Sequence, residues 1–170
     1  MDYQRVCAID PGTRNFSYCV VDNNNWREPL RWGKEDLWAP AAGKRGKPTK
    51  EQVVGITHAW CDRNHAWLRE CDIIMIEGQI RKQFIVMQTV IHALYYVKVR
   101  IVHPMTVGSF FRFPPTREEK KAATVRFVVR HATIPATDKQ DDYADAWCMA
   151  VYCLIKRGAI SKLELDFSEQ

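Results

Sequence analysis

The sequence lacks the long apolar run that would place it in a membrane. None of its apolar stretches approaches the roughly 20 residues that a membrane-spanning helix needs. Asp2 and Arg5 precede the first strand-like segment almost directly, so we expect no signal peptide. The six cysteines include no C-x-x-C pair, and we therefore expect free thiols and an intracellular protein rather than a disulfide scaffold.

One stretch of the chain is considered as a zinc site. It holds His58, Cys61, His65 and Cys71, which are four ligands of a suitable type. Three of them fall on one predicted amphipathic helix, where they are more simply part of its packing face. We therefore favour a structural role for this stretch over a zinc site.

The length and composition are those of an ordinary globular protein with a small positive net charge. Its 170 residues predict a single domain over residues 1–170, long enough to bury a full core. Hydrophobic residues make up 46% of the chain and charged residues 26%, as in soluble globular proteins. The net charge of +5 permits nucleic-acid binding without requiring it.

Two segments stand outside the predicted core. The loop at about 39–50 concentrates basic residues, among them Lys44, Arg45 and Lys47. These cations can contact phosphate, or they can belong to a solvated loop. The segment from about residue 160 onward is expected to be a frayed C-terminal tail.

The order of strand-like and helix-like segments predicts a mixed α/β fold. Three strands come first as an antiparallel meander, around residues 5–10, 16–21 and 30–37. Helices and two further strands then alternate, and two helices close the chain. The strand at 72–77 is a continuous apolar run, so it should be buried on both faces. We predict one five-stranded sheet, antiparallel in the meander and parallel beyond it, flanked by helices.

The last predicted helix carries carboxylates where a buried helix should carry apolar side chains. From Ala144 to Ile155 the sequence is apolar on every face except at Asp145. Asp142 lies three residues before Asp145 and shares its face, while Asp141 points to a different side. Acids in a first helical turn complement the helix dipole, which explains Asp141 but not Asp145. A buried carboxylate must be paired, protonated or bound to a metal, and we favour the metal.

Two further acids end predicted strands. Asp10 closes the first strand, and Glu77 closes the buried strand at 72–77. If these strands are parallel neighbours, both side chains lie at the sheet edge where ligands of α/β folds gather. Each acid also has a simpler role, since Asp10 can cap the following Pro-Gly turn and Glu77 can pair with Arg81. The specific signal is their combination with the acidic helix.

Convergence of these acids would create an oxygen-only site, of the kind that suits Mg²⁺ or Mn²⁺. Two ions about 4 Å apart in such a site would activate a water molecule and stabilise the leaving oxygen of a phosphodiester. The four carboxylates that would meet there, with no protein cation among them, are those of Asp10, Glu77, Asp142 and Asp145.

Three acidic motifs resemble those of RuvC-type Holliday junction resolvases, which have the RNase H-like fold. The motifs read AIDPGTRN at 8–15, IMIEGQ at 74–79 and DDYADA at 141–146. The doubled aspartate after Lys139 and the glutamate followed by Gly-Gln are more similar to the poxvirus and mitochondrial branch than to bacterial RuvC. The resemblance covers roughly residues 4–157.

The resemblance implies a divalent-metal endonuclease that acts as a symmetric homodimer on four-way DNA junctions. Such an enzyme makes paired nicks with 5′-phosphate and 3′-hydroxyl ends during DNA recombination. The implied metal ligands are the four acids named above, with Asp141 in support. The implied catalytic lysines are Lys120 and Lys121, which equally suit a solvated helix face beside Glu118 and Glu119.

The resemblance also implies where DNA would bind. The helix predicted at 79–96, after the strand-end glutamate, would face the junction and help to form the dimer. Phe84 on this helix could wedge between bases, but a core position is the simpler role of a lone aromatic residue. The implied DNA contacts are Arg14, Gln79, Arg81, Lys82, Gln83 and Lys139, together with Lys44, Arg45 and Lys47 of the basic loop.

Two other functions are open at this point. A phosphotransferase of the actin or sugar-kinase type also begins with a strand, an aspartate and a Gly-Thr turn. However, 170 residues are too few for its two lobes, and a second glycine-rich phosphate loop is lacking. A non-catalytic DNA-binding module would keep the fold, although all four acids are present. A poxvirus-like resolvase would work in the cytoplasm of the infected cell.

Overall fold

A computed structural model describes residues 4–39, 46–135 and 140–167, so the predicted DNA contacts Lys44, Arg45 and Lys139 lie outside the described residues. The strands are β1 (Arg5–Asp10), β2 (Phe16–Asp22), β3 (Arg31–Glu35), β4 (Ile73–Glu77) and β5 (Val99–Val102). The helices are α1 (Lys50–Glu70), α2 (Lys82–Tyr95), α3 (Pro104–Phe110), α4 (Arg117–His131) and α5 (Gln140–Lys156), followed by a 3₁₀ helix at Lys162–Glu164.

The five strands form one mixed sheet in the order β3-β2-β1-β4-β5. β1, β2 and β3 are antiparallel neighbours, and short connections join them. β4 and β5 run parallel to β1, and a helix precedes each of them, because a parallel pair needs a long crossover. This topology confirms the predicted fold class.

Helices cover both faces of the sheet, and the alternation of strand residues decides which helices each side chain meets. Val6 and Ala8 of β1 pack in the apolar cluster that includes α4 and α5. Cys7 and Ile9 pack in the opposite cluster, which includes the buried faces of α1 and α2. Asp10, the last residue of β1, therefore falls on the α5 face.

Helix α5 is anchored in the core, as its apolar sequence predicts. Trp147 is fully buried, contacts the ring of Trp26 and donates its indole N–H to the Trp26 carbonyl oxygen at 3.0 Å. Truncating a tryptophan buried in this way typically destabilises a fold by about 3–5 kcal/mol. The anchor holds α5 over β1 and β2, so its acidic first turns lie near the end of β1.

The six cysteines are all buried and carry free thiols, as predicted. In the stretch considered for zinc, His58 pairs with Asp62, and the His65 ring nitrogen lies 3.1 Å from the Tyr95 hydroxyl. No helix in the described ranges is both long and apolar enough to span a membrane.

Helix α2 begins later than the sequence predicts. The expected helix begins at Gln79, whereas α2 begins at Lys82 with Arg81 as its N-cap residue. Gly78 stays bonded to the sheet, since its N–H donates to the Val102 carbonyl oxygen of β5 at 2.7 Å. Gln79 and Arg81 therefore lie on the connection just beyond the end of β4.

The C-terminal segment is packed up to residue 167, so the prediction of a frayed tail from about 160 is wrong there. Leu165 is buried, and the ring of Phe167 contacts the rings of Phe111 and Phe127. Two apolar residues in a polar segment are a weak local pattern. They become ordered because the aromatic cluster under them is supplied by distant helices.

Candidate active site

The two strand-end acids stand side by side. Ile9 pairs with Ile76 in the parallel register of β1 and β4, so the next residues, Asp10 and Glu77, are neighbours at the carboxyl ends of these strands. Both acids face α5, because the strand residues two positions earlier pack on that face. The structure thus brings together the first two of the four predicted ligands.

Helix α5 brings the other two acids to the same edge of the sheet. Asp145 lines a small pocket together with Asp10 and Glu77. Asp142 lies one turn earlier and borders the adjoining cleft, which Asp10 also borders. The start of α5 is tied to β2, because the Ser17 hydroxyl donates a hydrogen bond to the Asp142 carbonyl oxygen at 3.3 Å.

Burial and mutual repulsion change the proton affinities of two acids. Burial, followed by the negative charges of Glu77 and Asp145, raises the pKa of Asp10 to about 8. A side-chain hydrogen bond with Glu77 contributes to the same rise in the pKa of Asp10. Burial also raises the pKa of Asp145 to about 6, although the Lys120 ammonium opposes this shift. The site therefore resists full ionisation unless positive charge enters it.

The donor atoms fit a hard divalent cation. All four acids offer carboxylate oxygens, which Mg²⁺ and Mn²⁺ prefer as ligands. In the described ranges, no lysine or arginine forms an ion pair within 4 Å of Asp10, Glu77 or Asp145. Within those ranges, no group of three or more His, Cys, Asp or Glu side chains is arranged closely enough to hold a metal ion. The site therefore fits a divalent cation by the type and charge of its donor atoms.

The two consecutive lysines of α4 have different partners. Lys120 lines the pocket with Asp145 and lies against Gly108, where a Cβ atom would come within 3.4 Å of the lysine Cε atom. Lys121 forms an ion pair with Asp141, and this hydrogen bond raises the pKa of the lysine. Of the predicted pair, Lys120 is thus the lysine that borders the acids.

Lys34 is a site residue that the sequence does not reveal. It lies on the edge strand β3 and forms an ion pair with Asp142, and both side chains are largely buried. Lysine is common on edge strands, where it discourages pairing with other chains, so its presence there carries no functional signal. Only the packing of α5 against the sheet brings Lys34 and Asp142 together.

A basic cleft of about 490 Å³ adjoins the acids, with Asp10 and Asp142 at one side. Its other walls come from the turn at 11–15, from residues 46–48, from the connection into α2 and from the start of α4. The cations that border it are Arg14, Lys47, Arg81 and Arg117. Arg117 is missing from the predicted contacts, because a basic residue at the start of a helix suggests no particular role.

Most of the predicted DNA contacts that the structure describes border this cleft. Five of the described ones border it, namely Arg14, Lys47, Gln79, Arg81 and Gln83, whereas Lys82 is exposed outside it. Gln79 donates a hydrogen bond to the Glu77 carboxylate at 3.1 Å, and the ion pairs of the described residues do not include the considered pair of Glu77 with Arg81. The Arg81 guanidinium lies instead over the ring of Phe84, 5.9 Å from its centroid.

Phe84 has the predicted core role and also reaches the cleft. Its half-buried side chain packs against the apolar cluster of α1 and α2, while part of it borders the cleft. The turn on the other side of the cleft is tight, because a Cβ atom at Gly12 would lie 2.6 Å from the Asn15 carbonyl oxygen. Glycine at this position keeps Arg14 close to the end of β1.

The solved structures that share this fold include three resolvases. The yeast mitochondrial Holliday junction resolvase Ydc2 aligns with a TM-score of 0.70 and 16% identity over 92% of this chain and 80% of that chain. The fowlpox virus resolvase, solved with substrate Holliday junction DNA, aligns with a TM-score of 0.65 and 15% identity over 91% and 99%. Thermus thermophilus RuvC aligns with a TM-score of 0.57 and 18% identity over 92% and 98%. The fold of this chain is therefore that of the RuvC-type resolvases.

The chain belongs to the poxvirus A22 protein family, whose model matches residues 4–157. This result confirms the predicted relationship to Holliday junction resolvases, a class of metal-dependent endonucleases, and it argues against the phosphotransferase alternative. No protein of curated function matches the sequence significantly.

Proposed function

We propose that this protein is a structure-selective endonuclease that resolves four-way DNA junctions by paired hydrolysis of phosphodiester bonds, leaving 5′-phosphate and 3′-hydroxyl ends. The observation that carries the proposal is the meeting of Asp10, Glu77 and Asp145 in one pocket beside a basic cleft. The family supports the substrate class, because the fowlpox relative was solved with junction DNA. The enzyme would serve DNA recombination and the resolution of replication intermediates in the cytoplasm of an infected cell.

Asp10, Glu77, Asp142 and Asp145 would hold Mg²⁺ or Mn²⁺, with two ions per site. When bound, such ions activate water and stabilise the leaving oxygen of the phosphodiester. The protein's contribution is the rigidity of the ligands. Asp10 and Glu77 end two paired strands, so they cannot move independently, and the buried Trp147 fixes the helix that carries the other two acids.

Lys120 is the protein's own cation at the pocket. It lines the pocket that holds Asp10, Glu77 and Asp145, and its charge favours the ionised form of Asp145. An ammonium group held there can stabilise negative charge that develops on the scissile phosphate. Lys121 would act structurally, because its ion pair with Asp141 joins α4 to α5.

The basic cleft would orient the DNA strand toward the acids. Arg14, Lys47, Arg81 and Arg117 border it from different elements, so together they can contact successive phosphates. Each such contact releases counterions from the DNA, and binding should therefore weaken steeply with salt. Phosphate contacts position the backbone without reading sequence, which suits an enzyme that recognises a branched shape.

Paired nicks need two active sites, and a symmetric homodimer would supply them. The apolar side chains exposed on α2, β5 and their flanks support this assembly, because a second copy would cover them. These residues are Ile80, Ile85, Leu94, Tyr96, Val97 and Ile101.

Cleavage of a labelled four-way junction in Mg²⁺ tests the proposal, with a linear duplex of the same sequence as the control. We expect two symmetric, ligatable nicks in the junction, no cleavage of the duplex and no activity in EDTA. Tight junction binding without nicks would indicate the non-catalytic module instead. Absence of both binding and cleavage would contradict the proposed function.

A further inference from the structure

A row of paired residues crosses the sheet beneath the first turns of α5. Asp10 of β1 pairs with Ser17 of β2, and Ser17 pairs with Lys34 of β3. Directly opposed residues of neighbouring strands project to the same face, so all three face α5. Lys34 therefore reaches Asp142 from the edge of the sheet, while Asp10 approaches the same acidic turn from the centre.

The ion pair between Lys34 and Asp142 is sheltered from solvent. Its side chains are 15% and 21% exposed, whereas those of the surface pair Arg63 and Glu35 are 59% and 34% exposed. Water and salt screen a sheltered pair less than a surface pair. The Lys34 ammonium is consequently a persistent charge beside the acidic site rather than a fluctuating surface contact.

The ion pairs of the described residues divide the four acids into two sets. Asp10, Glu77 and Asp145 form no ion pair with a lysine or arginine of the described ranges, whereas Asp142 is already paired with Lys34. A metal cation that binds Asp10, Glu77 and Asp145 does not have to displace an ion-paired lysine or arginine of the described ranges. A cation that binds Asp142 must share that carboxylate with Lys34 or displace the lysine.

We propose that Lys34 is a positioning residue that acts on the metal site through Asp142. It holds the Asp142 carboxylate in one orientation, and it competes with the cation that this carboxylate would bind. The inference rests on the proposed function, because it takes Asp142 as a metal ligand. Two cations then bind unequally, and the one at Asp142 binds more weakly until a DNA phosphate adds negative charge.

Mn²⁺ binding in the absence of DNA tests this inference without depending on activity. Lys34→Met keeps most of the side-chain length and removes the charge, while Lys34→Arg keeps the charge. By calorimetry, we expect the methionine variant to bind the weaker Mn²⁺ on the order of tenfold more tightly, because a nearby positive charge is gone. The arginine variant should bind Mn²⁺ like the unmodified protein. At saturating Mn²⁺ the methionine variant should cleave junctions more slowly, since Asp142 has lost its support.

Arg31→Met is the matched control on the same strand. Arg31 lies three residues before Lys34, so it projects to the opposite face, where its guanidinium lies 5.7 Å from the ring centroid of Trp67. This variant loses the same charge without touching Asp142, and its Mn²⁺ binding should be unchanged.

Two outcomes would overturn the role of Lys34. One is Mn²⁺ binding by Lys34→Met that is equal to or weaker than that of the unmodified protein. The other is an equal gain in Arg31→Met, which would indicate a general effect of net charge. Thermal unfolding in EDTA verifies that each variant is folded, and Lys34→Gln replaces the methionine variant if that one does not fold. Failure of the unmodified protein to cleave junctions would refute the proposed function but leave the binding comparison readable.

Discussion

Asp10 and Glu77 are adjacent because β1 and β4 pair in parallel, and the negative charge of Glu77 helps to raise the pKa of Asp10. The residues that precede them, Ile9 and Ile76, are fully buried, which fixes the backbone at the ends of both strands. The rigid strands therefore hold two like charges together. A proton or a cation is the remaining way to relieve their repulsion.

Neutralising one acid should abolish cleavage but spare DNA binding. In Asp10→Asn, Glu77→Gln or Asp145→Asn, we expect single-turnover cleavage to fall on the order of 10³-fold or more, because each change removes the charge of a proposed metal ligand. Junction affinity should stay equal or increase, since removing negative charge favours phosphate binding. Asp62→Asn on the exposed face of α1 is the control and should keep full activity. Wild-type cleavage rates in the acid variants would refute the assignment of the site.

The stability of the protein in EDTA should fall as the pH rises from about 4 to about 8. The pKa of Asp10 is raised from 3.8 to about 8 in the folded protein, so the folded state holds a proton that the unfolded chain has released. The stabilisation that this proton provides is complete below pH 4 and is lost by pH 8, an effect on the order of a few kcal/mol. Asp10→Asn should lack most of this slope in urea unfolding measurements.

Added Mg²⁺ provides the complementary measurement. It should raise the melting temperature of the unmodified protein at pH 8, because a bound cation offsets the repulsion between carboxylates that have lost their protons. Asp10→Asn should respond less. Equal pH slopes for the two proteins would show that Asp10 does not carry the buried charge.

The two adjacent lysines of α4 should differ in their effect on cleavage. Lys120→Gln removes a cation that borders the pocket, so we expect the rate at saturating DNA to fall about 10²-fold. Lys121→Gln breaks the ion pair with Asp141 and should affect thermal stability more than chemistry. The reverse order of effects would assign the catalytic role to Lys121.

The cations of the cleft should determine the salt dependence of junction binding. Arg14→Ala and Arg117→Ala should each weaken binding and lower the slope of log affinity against log salt by about one. Arg69→Ala is the matched control, because Arg69 is far from the cleft. It lies at the end of α1, which is followed by the start of β4, whereas Glu77 is at the other end of that strand. An unchanged slope in the first two variants would remove the cleft from the DNA path.

Glycine at position 33 should be needed for the stability of the edge strand. A Cβ atom there would overlap the ring of Tyr18, which is packed between Trp60 and Trp67 and cannot move aside freely. We expect Gly33→Ala to destabilise the protein by about 1–3 kcal/mol in urea unfolding followed by tryptophan fluorescence. Gly55→Ala on α1 is the control, since a Cβ atom there would meet nothing within 4 Å and alanine favours a helix.

Asp10, Glu77 and Asp145 were predictable as candidate site residues because each breaks a strong local pattern. Asp145 interrupts a helix that is otherwise apolar all round, and Asp10 and Glu77 end apolar strands. Arg117 and Phe167 break no such pattern, so their positions at the cleft and on the aromatic cluster could not be predicted. The late start of α2 was missed because Gly78 bonds to β5, a contact that no property of 78–82 reveals.

Local patterns in the chain were sufficient to predict the fold class and to single out Asp10, Glu77 and Asp145 as candidate site residues, because hydrophobic periodicity and strand ends are short-range properties. The partner of each acid was decided only when the elements packed. Lys34 and Asp142 are 108 residues apart, and their pairing depends on α5 lying across the sheet as far as its edge strand. Charge pairing in the site is a matter of distance in space, which a linear pattern of residue types does not encode.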